Sequence, residues 1–272
     1  MPGFQTPLSA AEEDILFALE KHLPPWEFVG QTYFGNFCTI YQAKPRHRDV
    51  PASYAVKVLK LEWCSKEIGA SIMQREAEVG QSISHPHLVP VLDADLASEI
   101  PYVVQPWLEG MTLRDWLVRG FSADLSEMLW IARQVAEALL ALENAGYCHC
   151  DIKPGNIHLS SGGHVTLIDL GMSRRLSGTE KLMDRTVGGT PHYMAPELKW
   201  KNASPDISSD IFSLGMVMQE MISRKKFNEV PQTVTDFVMR MISFDPEERP
   251  KSAKTLLRDL VPLEIQLVGQ YY

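Results

Sequence analysis

The run His149-Cys150-Asp151-Ile152-Lys153-Pro154-Gly155-Asn156, followed by Asp169-Leu170-Gly171, constrains this chain more than any other part of it. An acid stands two residues before a lysine and five before an amide, and a second acid follows after a short β-hairpin's worth of chain. That order suits phosphoryl transfer, in which one acid accepts a hydroxyl proton while an amide and a second acid hold a metal. A lone aspartate in a loop is usually a turn former or a helix cap. Here four residue types match one chemistry in order and spacing.

The 272 residues are enough for one large domain or for two lobes sharing a cleft. A net charge of -8 opposes nucleic-acid binding driven by phosphate neutralisation. No apolar run is long enough to span a bilayer, and no charged-then-apolar leader opens the chain, so a soluble cytoplasmic protein is expected. Cys38, Cys64, Cys148 and Cys150 are then expected as reduced thiols. Cys148 and Cys150 lie too close together for the usual zinc-ligand spacing.

Residues 1–23 read as a helical extension, with a capping box at Ser9–Glu12, apolar residues at Ile15, Leu16, Leu19 and Leu23, and a stop at Pro24-Pro25. Strand-like runs follow at Trp26–Thr32, Thr39–Ala43, Tyr54–Leu59, Leu88–Leu92 and Tyr102–Gln105, with a helix from about Lys66 to Ser84 among them. Beyond Gly110 the pattern turns mostly helical, at Ser126–Ala145, Ile207–Ser223 and Val234–Ser243. Strands first and helices afterwards predict an α+β fold of two unequal lobes.

The opening run resembles the catalytic loop and metal motif of protein kinases, H-R-D-x-K-P-x-N and D-F-G, with Cys150 for the arginine and Leu170 for the phenylalanine. The resemblance covers about residues 26–262. It implies a bilobal kinase domain over 24–265, with a β-rich small lobe over about 24–104, a hinge over 105–110 and a mainly helical large lobe over about 111–265. It also implies ATP and Mg²⁺ as cofactors and a protein hydroxyl as acceptor. In its terms Asp151 is the base, Lys153 steadies the transferring phosphate, and Asn156 and Asp169 hold magnesium.

For the nucleotide, Ala55-Val56-Lys57 places a lysine in an apolar strand, where it needs a partner. The resemblance supplies Glu76, nine residues before His85-Pro86, and sets Lys57 on the α- and β-phosphates. The glycine-rich loop is eroded. One alignment starts at Gly30 and runs through Thr32 to Gly35; the preferred one takes Tyr33–Ile40 without a gap. The second keeps only the middle glycine as Gly35, with Phe37 at the loop tip and Ile40 over the adenine. Gly35 would let backbone N–H groups approach phosphate. Tyr102–Gly110 resembles the hinge, with Gln105 behind the adenine and the Pro106 carbonyl and Leu108 backbone as its contacts. His158 would lie beneath the base. Gln105 and His158 would make the pocket polar, or else be satisfied by local hydrogen bonds.

Gly189–Glu197 resembles the end of an activation segment, which implies that Thr190 contacts Lys153 and Asp151 and that Glu197 pairs with Arg249; Ser209–Gly215 resembles the buried helix of the family, which implies that Asp210 braces the catalytic loop. The segment and Lys153 resemble serine/threonine kinases and argue against a small-molecule kinase. Cys150 cannot replace an arginine that reads a phosphate, so activity is expected to be independent of phosphorylation at Ser177, Thr179 or Thr186. The segment from Phe227 to Asp245 is short, as if a helix were missing. A pseudokinase scaffold is the alternative, favoured by the eroded loop and opposed by Lys57, Glu76, Asp151, Asn156 and Asp169.

Overall fold

The computed structural model describes residues 21–176, 191–199, 205–224 and 230–269, and no side chains at 30–32, 268 or 269. The predicted helix at 1–23 and the residues Ser177, Thr179, Thr186, Gly189 and Thr190 therefore lie wholly or mostly outside the described residues. Two units divide the chain: residues 1–82 with 90–108, and residues 83–89 with 109–272.

The first unit is built on an antiparallel sheet of β1 (Trp26–Phe34), β2 (Cys38–Pro45), β3 (Tyr54–Leu59), β4 (Asp93–Asp95) and β5 (Tyr102–Pro106), in the order β1-β2-β3-β5-β4. Strand alternation gives it two different faces. Trp26, Phe28, Tyr41, Ala43, Val56, Val58, Tyr102 and Val104 pack into one layer. On the opposite face Cys38, Leu59 and Val103 pack with Met73 and Ala77. Those two belong to helix α2 (Glu67–Ser82), which follows the short α1 (Leu61–Cys64). The buried stripe of α2 runs Gly69, Ile72, Met73, Glu76, Ala77, Gly80, at helical spacing. A glutamate thus occupies a core position.

The predicted strand Leu88–Leu92 does not form, and the reason is Pro90, which has no N–H for a ladder. Before it, the Val89 N–H donates to the Leu167 carbonyl at 3.0 Å and Leu88 bridges Leu167. After it, the Val91 N–H donates to Gly80 and the Leu92 N–H to Val104. The apolar run is divided between the two units, and the edge strand beside β5 is Asp93–Asp95.

In the second unit, β6 (Met111–Thr112), β8 (Ile157–Leu159) and β9 (Val165–Leu167) form one small sheet; β7 (Tyr147–Cys148) and β10 (Arg174–Arg175) form another. Its helices are α3 (Leu113–Val118), α4 (Leu125–Asn144), α5 (Ile207–Ser223), α6 (Gln232–Met241) and α7 (Ala253–Gly269). Helix α4 starts one residue before the predicted Ser126, because Asp124 caps it in a reciprocal capping box with Glu127. Its buried face carries Leu129, Ala132, Val135, Ala136, Leu139 and Leu142 and packs chiefly on α7. Helix α7 escapes sequence reading because Pro262 sits inside it. Gly110, at φ 137, is required: a Cβ there would meet the Leu159 carbonyl at 2.0 Å.

Candidate active site

In the first unit, register places Ile40 opposite Lys57, Lys57 opposite Val103, and Ala55 opposite Gln105. Ile40, Ala55, Lys57 and Gln105 therefore share the sheet face that packs on α2. The Lys57 ammonium reaches the Glu76 carboxylate, Nζ to Oε2, at 2.6 Å, with both side chains buried. Glu76 Oε1 accepts from Gln105 Nε2 at 2.9 Å. Gln105 is thus locally hydrogen-bonded, one of the two readings its sequence context left open. Pro106 and Leu108 are half-buried beyond it, and the Trp107 N–H is held by the Ser53 carbonyl at 2.8 Å.

The β1–β2 turn departs from the sequence expectation. The Gly35 N–H donates to the Cys38 carbonyl at 2.9 Å and so closes the β1–β2 hairpin. Phe37 does not stand out at the tip. Its ring packs edge-on against Trp63, centroids 4.9 Å apart, and its carbonyl accepts from the Lys60 N–H. Apolar burial wins over exposure of the aromatic. Thr32 lies in β1 opposite Tyr41.

In the second unit, Asp151 follows the β7 strand and precedes a 3₁₀ turn at Pro154–Asn156. Its Oδ2 accepts from Lys153 Nζ at 2.6 Å and from Asn156 Nδ2 at 2.8 Å. The same Nδ2 reaches the Asp151 carbonyl at 2.8 Å. Both amide hydrogens of Asn156 are thereby spent on Asp151, and its Oδ1 remains as an acceptor. Burial pushes the Asp151 carboxyl above the ordinary aspartate range; Asp169 adds to the rise, and Lys153 and Asn156 oppose it.

The hairpin of β8 and β9 carries the chain from Asn156 to Asp169, and the Ile168 N–H donates to the Asn156 carbonyl at 2.9 Å. Asp169 itself takes a left-handed conformation, φ 68, before the turn Leu170–Met172. An amide oxygen and a carboxylate on adjoining backbone are hard oxygen donors, which fit magnesium. Gln134 holds the hairpin from α4: its Oε1 accepts from the Val165 N–H at 3.0 Å, and its Nε2 donates to the Gly163 carbonyl. His158 is half-buried in β8, and burial lowers its imidazole from the ordinary value.

Asp210 on α5 braces the loop, accepting from the His149 and Cys150 N–H groups at 2.6 and 2.8 Å. Burial pushes its carboxyl up to about 7 against those two bonds. Glu197 forms a bidentate pair with Arg249, at 2.7 and 2.8 Å. Arg114 and Glu220, which sequence reading did not single out, both bond the Tyr193 hydroxyl. They lie 79 and 27 residues from it, so no local pattern could have flagged them.

A protein kinase domain family model matches residues 27–229, and the chain belongs to that family. Among its relatives is a probable serine/threonine-protein kinase of Clostridium perfringens, 28% identical over 83% of this chain and 36% of the relative. The serine/threonine-protein kinase PrkC of Bacillus subtilis is 26% identical, over 83% and 38%. The serine/threonine-protein kinase cds1 of Schizosaccharomyces pombe is 29% identical, over 75% and 51%. The chain thus spans between about a third and a half of the length of these relatives. Among the described residues, no helix is long and apolar enough to cross a membrane.

Proposed function

We propose that this chain is a serine/threonine protein kinase domain that transfers the γ-phosphate of ATP, with magnesium, to a protein hydroxyl. The observation that carries this reading is the bonding of Asp151. Lys153 and Asn156 both occupy Oδ2, which fixes the carboxylate and leaves Oδ1 to orient a hydroxyl and accept its proton. Lys153, paired at 2.6 Å, would steady charge on the transferring group. Lys57, held by Glu76, would grip the nucleotide phosphates. Ile40, Ala55 and the backbone at Pro106 and Leu108 would contact the adenine. Asn156 Oδ1 and the Asp169 carboxylate would hold magnesium, which when bound screens phosphate charge. With two of the three usual loop glycines lost, phosphate binding would rest mainly on Lys57 and the metal. The kinase domain is proposed over about 24–265, and four free cysteines are in keeping with a reducing cytoplasm.

The test incubates purified protein with labelled ATP, magnesium and generic protein substrates, beside Asp151→Asn. Wild type should transfer phosphate, and the variant should lose on the order of 100–10,000-fold. Equal transfer by both would remove Asp151 from its role. Nucleotide binding without transfer to any protein, itself included, would favour a scaffold.

A further inference from the structure

We infer that Gln105 is a positioning residue: its amide pins Glu76, and through Glu76 it holds Lys57 and helix α2 in place. This rests on the reading of Lys57 as the phosphate-gripping lysine.

Three observations carry it. Gln105 Nε2 donates to Glu76 Oε1 at 2.9 Å while Lys57 Nζ takes Oε2 at 2.6 Å, so each carboxylate oxygen has its own donor. All three side chains are buried, where a hydrogen bond to a charged group weighs more than in water. The apolar residues Met73, Ala77 and Val103 pack in the same layer.

The geometry of the donors matters as much as their number. Lys57 lies on β3 and Gln105 on β5, neighbouring strands of one sheet, while Glu76 lies on the helix above. An ammonium on a flexible stem holds a carboxylate at one point. A second donor from the next strand fixes the carboxylate's rotation as well. Moving α2 away would then break both of these bonds to a buried carboxylate, a costly step. Gln105 thus biases the helix toward the arrangement in which Lys57 is ready for phosphate, with no modification required to reach it.

The test measures affinity for a fluorescent ATP analogue, with magnesium, in the full chain and in Gln105→Met, Glu76→Ala and the double variant. Methionine keeps the bulk of glutamine and removes its donor. Gln105→Met should weaken binding about tenfold in the native background and change little once Glu76 is alanine. An equal loss in both backgrounds overturns the inference, because Gln105 would then act without Glu76.

Hydrogen exchange along Glu67–Ser82 without nucleotide gives a second readout that does not depend on the Glu76→Ala variant folding. Faster exchange in Gln105→Met than in wild type supports the pin; unchanged exchange overturns it. A wild type that binds the analogue but transfers no phosphate defeats the kinase reading alone, and both measurements still judge Gln105. If wild type binds no analogue, the nucleotide reading falls and hydrogen exchange decides.

Discussion

Cys150 shows how one residue can be read for what it lacks. Its backbone is left-handed, φ 66, and its N–H is held by Asp210 at 2.8 Å, so the loop keeps its shape without an arginine at this position. Its thiol lies 3.3 Å from that of Cys148. The contact with Cys148, burial and the nearby Asp210 carboxyl all push the Cys150 thiol well up, so it stays a neutral group that cannot bind a phosphate. Phosphatase treatment should therefore leave activity intact, and replacing Ser177, Thr179 and Thr186 together with alanine should retain most of it. A dead triple variant would sink this expectation. Asp151 ties the rate to pH. Its carboxyl is raised by burial, and as the proposed base it would have to be ionised to accept a proton, so kcat/KM should climb with pH on the acid side. Lys153 lowers it. Lys153→Met should accordingly move that acid limb to higher pH as well as reduce the rate, which a pH–rate profile would reveal.

Two elements of the second unit depend on contacts that local pattern does not announce. Helix α5 reads plainly as a helix, yet its packing turns on Gly215, where a Cβ would lie 2.7 Å from the Ile242 side chain and 2.8 Å from Met241. Gly215→Ala should cost about 1–3 kcal/mol by overpacking, measured as a shift in the denaturant midpoint. The Glu197–Arg249 pair ties the turn at Pro196–Lys199 to the segment before α7. Arg249 also donates to the Ser243 and Ser208 carbonyls, and its side chain is fully buried. Arg249→Met should destabilise by about 3–5 kcal/mol, since it leaves a carboxylate without its charge partner. A loss below about 1 kcal/mol, as an exposed pair would give, would contradict that. Among the described residues between 230 and 245, the helix present is α6.

For the whole molecule, two carboxylates set opposite limits on stability. For Glu197, burial raises the carboxyl but Arg249, its own backbone N–H and Ser209 outweigh it, so the folded value is depressed. Its contribution is present above the unfolded glutamate value and is lost as pH falls through the folded one. Asp210 runs the other way: raised from 3.8 to about 7, it favours the folded state below 3.8 and loses that contribution as pH rises toward 7. Denaturant midpoints should therefore fall in acid as Glu197 is protonated, and the Asp210 contribution should decline between pH 3.8 and about 7. Asp210→Asn should flatten the second slope; an unchanged slope would dismiss Asp210 as its source.

The sequence alone determined most of the main strands and helices, the kinase family and the spacing within His149–Asn156, because periodicity and short-range spacing are properties of contiguous residues. His149–Asn156 and Asp169 are close along the chain, so their relation is written locally. The tertiary structure decided what depends on partners far apart: Gln105 on Glu76, Gln134 on the β8–β9 hairpin, Tyr193 between Arg114 and Glu220. It also decided the fate of Phe37 and Gly35, since a chain's own letters cannot say whether an aromatic is buried or an N–H is already spent. Burial and hydrogen-bond satisfaction are settled by three-dimensional competition for partners, and that competition is what spacing does not record.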